Sequence, residues 1–86
     1  MNLNTYLANH GRAAALSRQT GFSPIMISLY RARRRGVPPA KCPIIERLSG
    51  AQVTCEELRP DLPWARLPDP SWPHPQGRPV LDYSRP

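Results

Sequence analysis

Apolar residues recur along the first sixty positions at helical spacing, in short blocks separated by glycine or proline. Leu3, Tyr6 and Leu7 share one helix face, and Asn2 or Asn4 supplies the cap of a first helix reaching Ala8. Gly11 stops it. The alanine-rich stretch from Arg12 to Thr20 predicts a second helix, ended by Gly21. Ser23-Pro24 opens a third, with serine as cap and proline at the first helical position, running to about Arg34. Ile27 and Tyr30 lie on its inner face, Ser28, Arg31 and Arg35 on another, and Gly36 terminates it. Val37-Pro38-Pro39 is a rigid connector to a fourth helix over Pro39 to Ser49, with Ile44, Ile45 and Leu48 inward. Pro43 breaks that helix into two turns, and Gly50 stops it. Thr54-Cys55-Glu56-Glu57 is a capping box for a last short turn to Leu58, closed by Pro60.

Proline changes the picture beyond that point. Eight of the twelve prolines fall between Pro60 and Pro86, and nothing helical of any length forms among them. The expected fold is therefore all-α: a small four-to-five-helix bundle containing a helix-turn-helix over residues 1–64, followed by a proline-rich extended tail over 65–86. Such a tail is mobile or bound by a protein partner. Trp64 is expected to fold back onto the bundle. Trp72 suits either a partner's groove or an unstructured tail. Should the tail wrap the domain, Trp72, Leu81 and Tyr83 are its expected anchors.

Charge sharpens the functional expectation. The chain of 86 residues carries a net +6, and the asymmetry within it matters more than the total. Residues 1–45 hold Arg12, Arg18, Arg31, Arg33, Arg34, Arg35 and Lys41 with no acid, and the first carboxylate is Glu46. A basic segment without interspersed acids repels itself on folding and fits a polyanion better than a solvated face. The small scaffold and the lack of any Ser-His-Asp, Cys-His or paired-carboxylate set argue against an enzyme. Cys42 and Cys55 form no CxxC, and His10 and His74 complete no metal spacing, so no metal and no cofactor are expected. No apolar run approaches the length of a bilayer span, and the start Met1-Asn2-Leu3-Asn4 does not read as a secretory signal. The expected location is cytoplasmic, with both thiols reduced, although a single disulfide is the other arrangement the pair allows.

The second and third helices are joined by only Gly21-Phe22-Ser23, a helix-turn-helix arrangement. Leu16, Phe22, Ile27 and Tyr30 form the wedge between them, and Ser17 is small enough for close approach. The segments Gly11-Arg12-Ala13-Ala14-Ala15-Leu16-Ser17, Thr20-Gly21-Phe22-Ser23 and Ile27-Ser28 resemble the Cro-like, YdaS-type phage and prophage repressors, a subset of the lambda-repressor-like domains. Lys41-Cys42-Pro43-Ile44-Ile45-Glu46 and Val53 to Asp61 are similar to that family as well. The resemblance covers about residues 3 to 64. It implies a helical bundle binding double-stranded operator DNA to control transcription in a bacterial host, commonly as a homodimer.

Carried onto this chain, the resemblance makes Ser23, Pro24, Ile25, Ser28 and Leu29 the base-facing residues of the recognition helix. Only Ser28 among the core reading positions offers a hydrogen-bonding side chain, where the family more often has glutamine. Ile25 and Leu29 suit thymine methyl groups or, equally, an apolar protein surface. Arg12, Arg18, Arg31, Arg33, Arg34, Arg35 and Lys41 are the expected phosphate contacts. The contrasting function on the same fold is a protein-interaction module: a toxin–antitoxin component, an antirepressor partner or a polymerase-binding phage protein.

Overall fold

The structure, a computed structural model, describes residues 1–84; Arg85 and Pro86, the end of the expected tail, lie outside them. Five helices form where the local signals place them: α1 (Leu3–Leu7), α2 (Arg12–Thr20), α3 (Pro24–Arg31), α4 (Cys42–Leu48) and α5 (Cys55–Leu58). Asn2 caps α1 by accepting from the Thr5 amide at 2.7 Å, and Ser23 caps α3 by accepting from Met26 at 3.2 Å. Thr54 and Glu57 complete a reciprocal capping box on α5. The predicted fourth helix does divide near Pro43: a 3-10 turn over Pro39–Lys41 leads into α4, with Pro43 in its first turn.

The third helix is shorter than its sequence suggests. It stops at Arg31, and Arg33 rather than Gly36 takes the left-handed conformation, at φ 57°. The Arg33 amide donates to the Tyr30 carbonyl at 3.2 Å and the Arg34 amide to Leu29 at 3.0 Å. Both bonds belong to the Schellman motif, which satisfies the last carbonyls of the helix.

Between α2 and α3 the three linking residues are pinned from below. Ser17 donates its hydroxyl to the Phe22 carbonyl at 2.7 Å, and Thr20 accepts from the Phe22 amide at 3.2 Å. The Phe22 ring then rests 4.9 Å from that of Tyr30, tilted by 56°. Leu3, Tyr6, Leu7, Leu16, Ile27, Tyr30, Val37, Ile45 and Val53 bury together as the core beneath this pair of helices.

The all-α expectation is corrected by the residues after α5. Two short strands, β1 (Trp64–Leu67) and β2 (Arg78–Leu81), pair antiparallel with Trp64 opposite Leu81 and Arg66 opposite Pro79. Residue 64 opens this hairpin, and Arg66 and Trp72 reach back to α4 while Leu81 packs on the core. Proline density misled because a two-stranded sheet consists of edges, where Pro79 needs no amide donor. Gly77 is indispensable to the return: its φ is 101°, and a Cβ there would stand 1.9 Å from the Leu67 carbonyl oxygen. Trp64 does fold back as anticipated, buried with its indole donating to the Arg59 carbonyl at 2.9 Å. Of the three anchors named for a wrapped tail, Leu81 packs on the core and Trp72 is half-buried. Tyr83 is 71% exposed and anchors nothing.

What holds the hairpin down is a carboxylate. Glu46 on α4 is fully buried, and Arg66 on β1 meets it with two bonds of 2.6 Å. The Trp72 indole donates to the same carboxylate at 2.6 Å and the Cys55 amide at 3.1 Å. Arg66 also binds Glu56 and donates to the Gly77 carbonyl at 3.0 Å, so one guanidinium ties α4, α5 and the start of the returning strand. Burial opposes ionisation of Glu46, but the bonds from Arg66, Trp72 and the Cys55 amide together hold its carboxyl below the usual range. Hydrogen bonding to Glu46 raises the Arg66 guanidinium further above an already high value. Among the described residues, no buried side-chain nitrogen or oxygen lacks a partner.

Arg66→Ala should destabilise the fold by about 3–5 kcal/mol, because it strands a buried carboxylate; urea denaturation at neutral pH measures this. Acid should act on the same group. With its folded value below the unfolded one near about 4.3, Glu46 contributes stability above that pH. That contribution is lost as pH falls through the folded value, so unfolding midpoints should decline from about pH 5 downward. An Arg66→Ala variant should show a flatter acid limb.

Candidate nucleic-acid interface

The outer face of α3 is set by its inner one. Ile27 and Tyr30 are buried, so Ile25 and Ser28 point away from the core and Leu29 sits at the margin, half-buried. Ile25 is 74% exposed, high for a large apolar side chain on a helix. Ser23 and Pro24 are exposed at the helix start, but the Ser23 hydroxyl oxygen is occupied by the Met26 amide. Ser28 is therefore the polar side chain on this face with its hydrogen-bonding capacity uncommitted within the described residues. The surface is short, mostly apolar and unobstructed.

The basic residues divide into three groups. Arg33, Arg34 and Arg35 are exposed and make no ion pair among the described residues. They follow α3 directly, at the carboxyl end of its axis, where cationic groups also favour the helix dipole. Arg31 is half-buried beside α1 and donates through Nε to the Asn4 side chain at 3.1 Å. Arg12 is engaged in the fold: its guanidinium carbon lies 4.3 Å over the Tyr6 ring, and Nη1 donates to the Tyr6 carbonyl at 3.1 Å. Arg18 is exposed on α2, and Lys41 is half-buried at the entrance to α4. Arg31, Arg33 and Arg35 converge on one cleft, which Arg18 and Lys41 do not line.

The acids of the second half do not neutralise this cluster. Glu46 is buried under Arg66, Glu56 pairs with the same arginine, and Asp61 takes Arg59 with bonds of 2.9 and 2.8 Å. That pairing draws the Asp61 carboxyl below its ordinary value. Glu57 is folded into the α5 cap. These carboxylates are used where they stand, and Arg18, Arg33, Arg34 and Arg35 are left facing solvent.

Sequence reasoning did not single out Glu46 or Arg66. The sign was present: an acid directly after Ile44 and Ile45, on a helix whose other inward positions are apolar, calls for a cation. Nothing local says which one. Cys42 and Cys55 are packing residues in this structure. Both are free and buried, and burial pushes the Cys42 thiol up to about 12 and raises that of Cys55 as well. At neutral pH they are protonated packing residues. Among the described residues, no three His, Cys, Asp or Glu side chains gather as a metal site, and no helix is long and apolar enough to cross a membrane.

A short helical unit with a basic rim, closed by a hairpin, is the class of protein that this geometry defines. The chain belongs to the family described as "Bacterial toxin YdaS", whose model matches residues 3–67. It is also 40% identical over 57 residues to the "Putative transcriptional regulator YdaS" of Escherichia coli (strain K12). That match covers 66% of this chain and 58% of the relative, so the chain spans less than two thirds of the relative's length. No solved structure matches.

Arg33 offers a direct check on the rim. A side chain in the left-handed region costs about 1–2 kcal/mol relative to glycine, partly offset by the freedom glycine gains on unfolding. Arg33→Gly should therefore raise the unfolding free energy by up to about 1 kcal/mol, read from urea melts. Arg34→Gly, with no such strain to relieve, should not.

Proposed function

We propose that this chain is a sequence-specific DNA-binding regulator of transcription, in which α2 and α3 act as a helix-turn-helix. One observation carries the reading: an α3 face with Ile25 and Ser28 exposed and Leu29 half-buried at its margin, continued at its carboxyl end by three exposed arginines that make no ion pair among the described residues. In this arrangement α3 enters the operator major groove. Ser28 hydrogen-bonds a base edge, and Ile25 and Leu29 meet thymine methyl groups. Ser23 and Pro24 approach the bases at the helix start, with Ser23 acting chiefly as the cap. Arg18, Arg31, Arg33, Arg34, Arg35 and Lys41 bind phosphates on either side, whereas Arg12 acts through Tyr6 to fix α1. The printed name of the E. coli relative supports a regulatory role. A reader this poor in polar groups gains specificity by duplication, so the working form is a homodimer on two half-sites about 34 Å apart or a multiple of that. Its place is the bacterial cytoplasm, at the nucleoid.

A second reading has its own support. The family description names a toxin, and an apolar helix face suits a protein target as well as a methyl group. Under that reading α3 docks on a protein and the arginines steer the encounter.

Salt separates the two. Six to eight phosphate contacts give a slope of log K against log salt of about −5 to −7, whereas a mainly apolar contact is nearly insensitive. Replacing Arg33, Arg34 and Arg35 together with alanine should weaken binding to all DNA sequences and flatten the slope by about one unit per lost contact. Ser28→Ala should instead narrow the gap between operator and random DNA. Electrophoretic mobility shifts across a salt series measure both, and unchanged affinity after the triple substitution would remove the rim from the interface. Footprinting should show two related half-sites; a single unrepeated one would contradict the dimer.

A further inference from the structure

At the carboxyl end of α3 lies a concavity of about 700 Å³, bounded by the start of α1, the turn after α3, and the segment from α5 to Asp61. That volume is in the range of small-ligand sites. Its floor is backbone: Gly36 lies under the Arg59 side chain, and a Cβ there would come within 3.3 Å of Cδ, Nε and Nη1. Arg59 is locked in place, donating to the Val37 carbonyl at 3.0 Å and pairing with Asp61. Opposite it, Arg31 is held by Asn4, while Arg33 and Arg35 have no carboxylate partner among the described residues. The two acids on the wall are both paired, Asp61 with Arg59 and Glu57 with the Met1 ammonium at 2.8 Å, while the amide and hydroxyl of Thr54 donate to the other Glu57 oxygen.

The turn itself adds a second observation. Arg33 sits in the left-handed region although a glycine stands three positions on, and Gly36 has no positive φ. A non-glycine residue kept in that conformation stores strain, and such strain concentrates at binding sites. In this case it swings an arginine onto the lip of the cleft.

We propose that the cleft is a binding site for a small ligand carrying an oligophosphate group, gripped by Arg31, Arg33 and Arg35 beside the fixed Arg59. Three guanidiniums around one concavity offer forked donors to several phosphate oxygens at once, which a single surface arginine does not. The neutral Arg59–Asp61 pair and the Asn4 amide supply a wall that orients the ligand without repelling it. The proposal goes beyond the DNA reading and does not rest on it, since the site is complete in one chain.

Inorganic pyrophosphate is the probe, titrated without DNA by calorimetry and by amide NMR. One saturable site per chain is expected, with shifts confined to residues around Asn4, Arg31 to Val37, and Arg59. Arg33→Gly relieves the backbone strain, so it folds at least as well as the parent and keeps the test sound. Combined with Arg35→Ala, it should weaken pyrophosphate by about tenfold or more. Arg18→Ala, outside the cleft, should leave the affinity unchanged. Non-saturating binding, shifts spread evenly over Arg12, Arg18 and the rim, or equal losses in the cleft and Arg18 variants would overturn the site. DNA binding fails or holds in a separate assay, so the two readings stand or fall apart.

Discussion

An ionised carboxylate without solvent sets the terms for this fold. Glu46 sits in α4 among apolar neighbours, and a charge so placed is tolerable only if its oxygens are fully engaged. The engagement comes from far along the chain: Arg66 from β1, Trp72 from the hairpin loop, and the Cys55 amide at the start of α5. The hairpin is therefore required by the helices. Without it, α4 would present a buried anion to nothing, and the helical core would lose the cover that Trp64 and Leu81 provide.

The same economy of charge explains the surface. Every acid in the chain lies at or beyond residue 46, and the acids at 46, 56, 57 and 61 are committed within the fold. Apart from the Met1 ammonium, which pairs with Glu57, the cations of the first half make no ion pair among the described residues. Its exceptions are informative: Arg12 finds the face of Tyr6, and Arg31 finds Asn4, so partners are made from aromatic and amide groups. The remaining arginines stay solvated and available.

Much of the helical architecture was legible because its determinants are local. Asn2, Ser23, Thr54 and Pro43 act within one turn of where they stand, and each does what its residue type dictates. The end of α3 was misplaced because a glycine at position 36 was the obvious stop, whereas an arginine took the left-handed turn three residues sooner. The hairpin was hidden for a different reason. Its register depends on Gly77 passing the Leu67 carbonyl and on Arg66 meeting a residue twenty positions earlier, and neither constraint leaves a periodic trace. The exposure of Ser28 followed from the period of α3, and that of Ile25 from the family resemblance. What they touch is a property of a second molecule, and one sequence holds only half of it.

The Glu46 lock also governs how this sequence can drift. A neutral residue at 46 leaves Arg66 with only Glu56 and the Gly77 carbonyl, an apolar residue at 66 strands Glu46, and loss of Trp72 leaves one carboxylate oxygen with fewer donors. Single changes at these sites descend in stability, while a joint exchange of the pair for well-packed apolar residues does not. The positions are consequently coupled in inheritance: a lineage reaches the neutral version by two substitutions arriving together, or by crossing a valley. Relatives that have lost the acid at 46 should therefore have lost the arginine at 66 as well, even where the helices between remain alike.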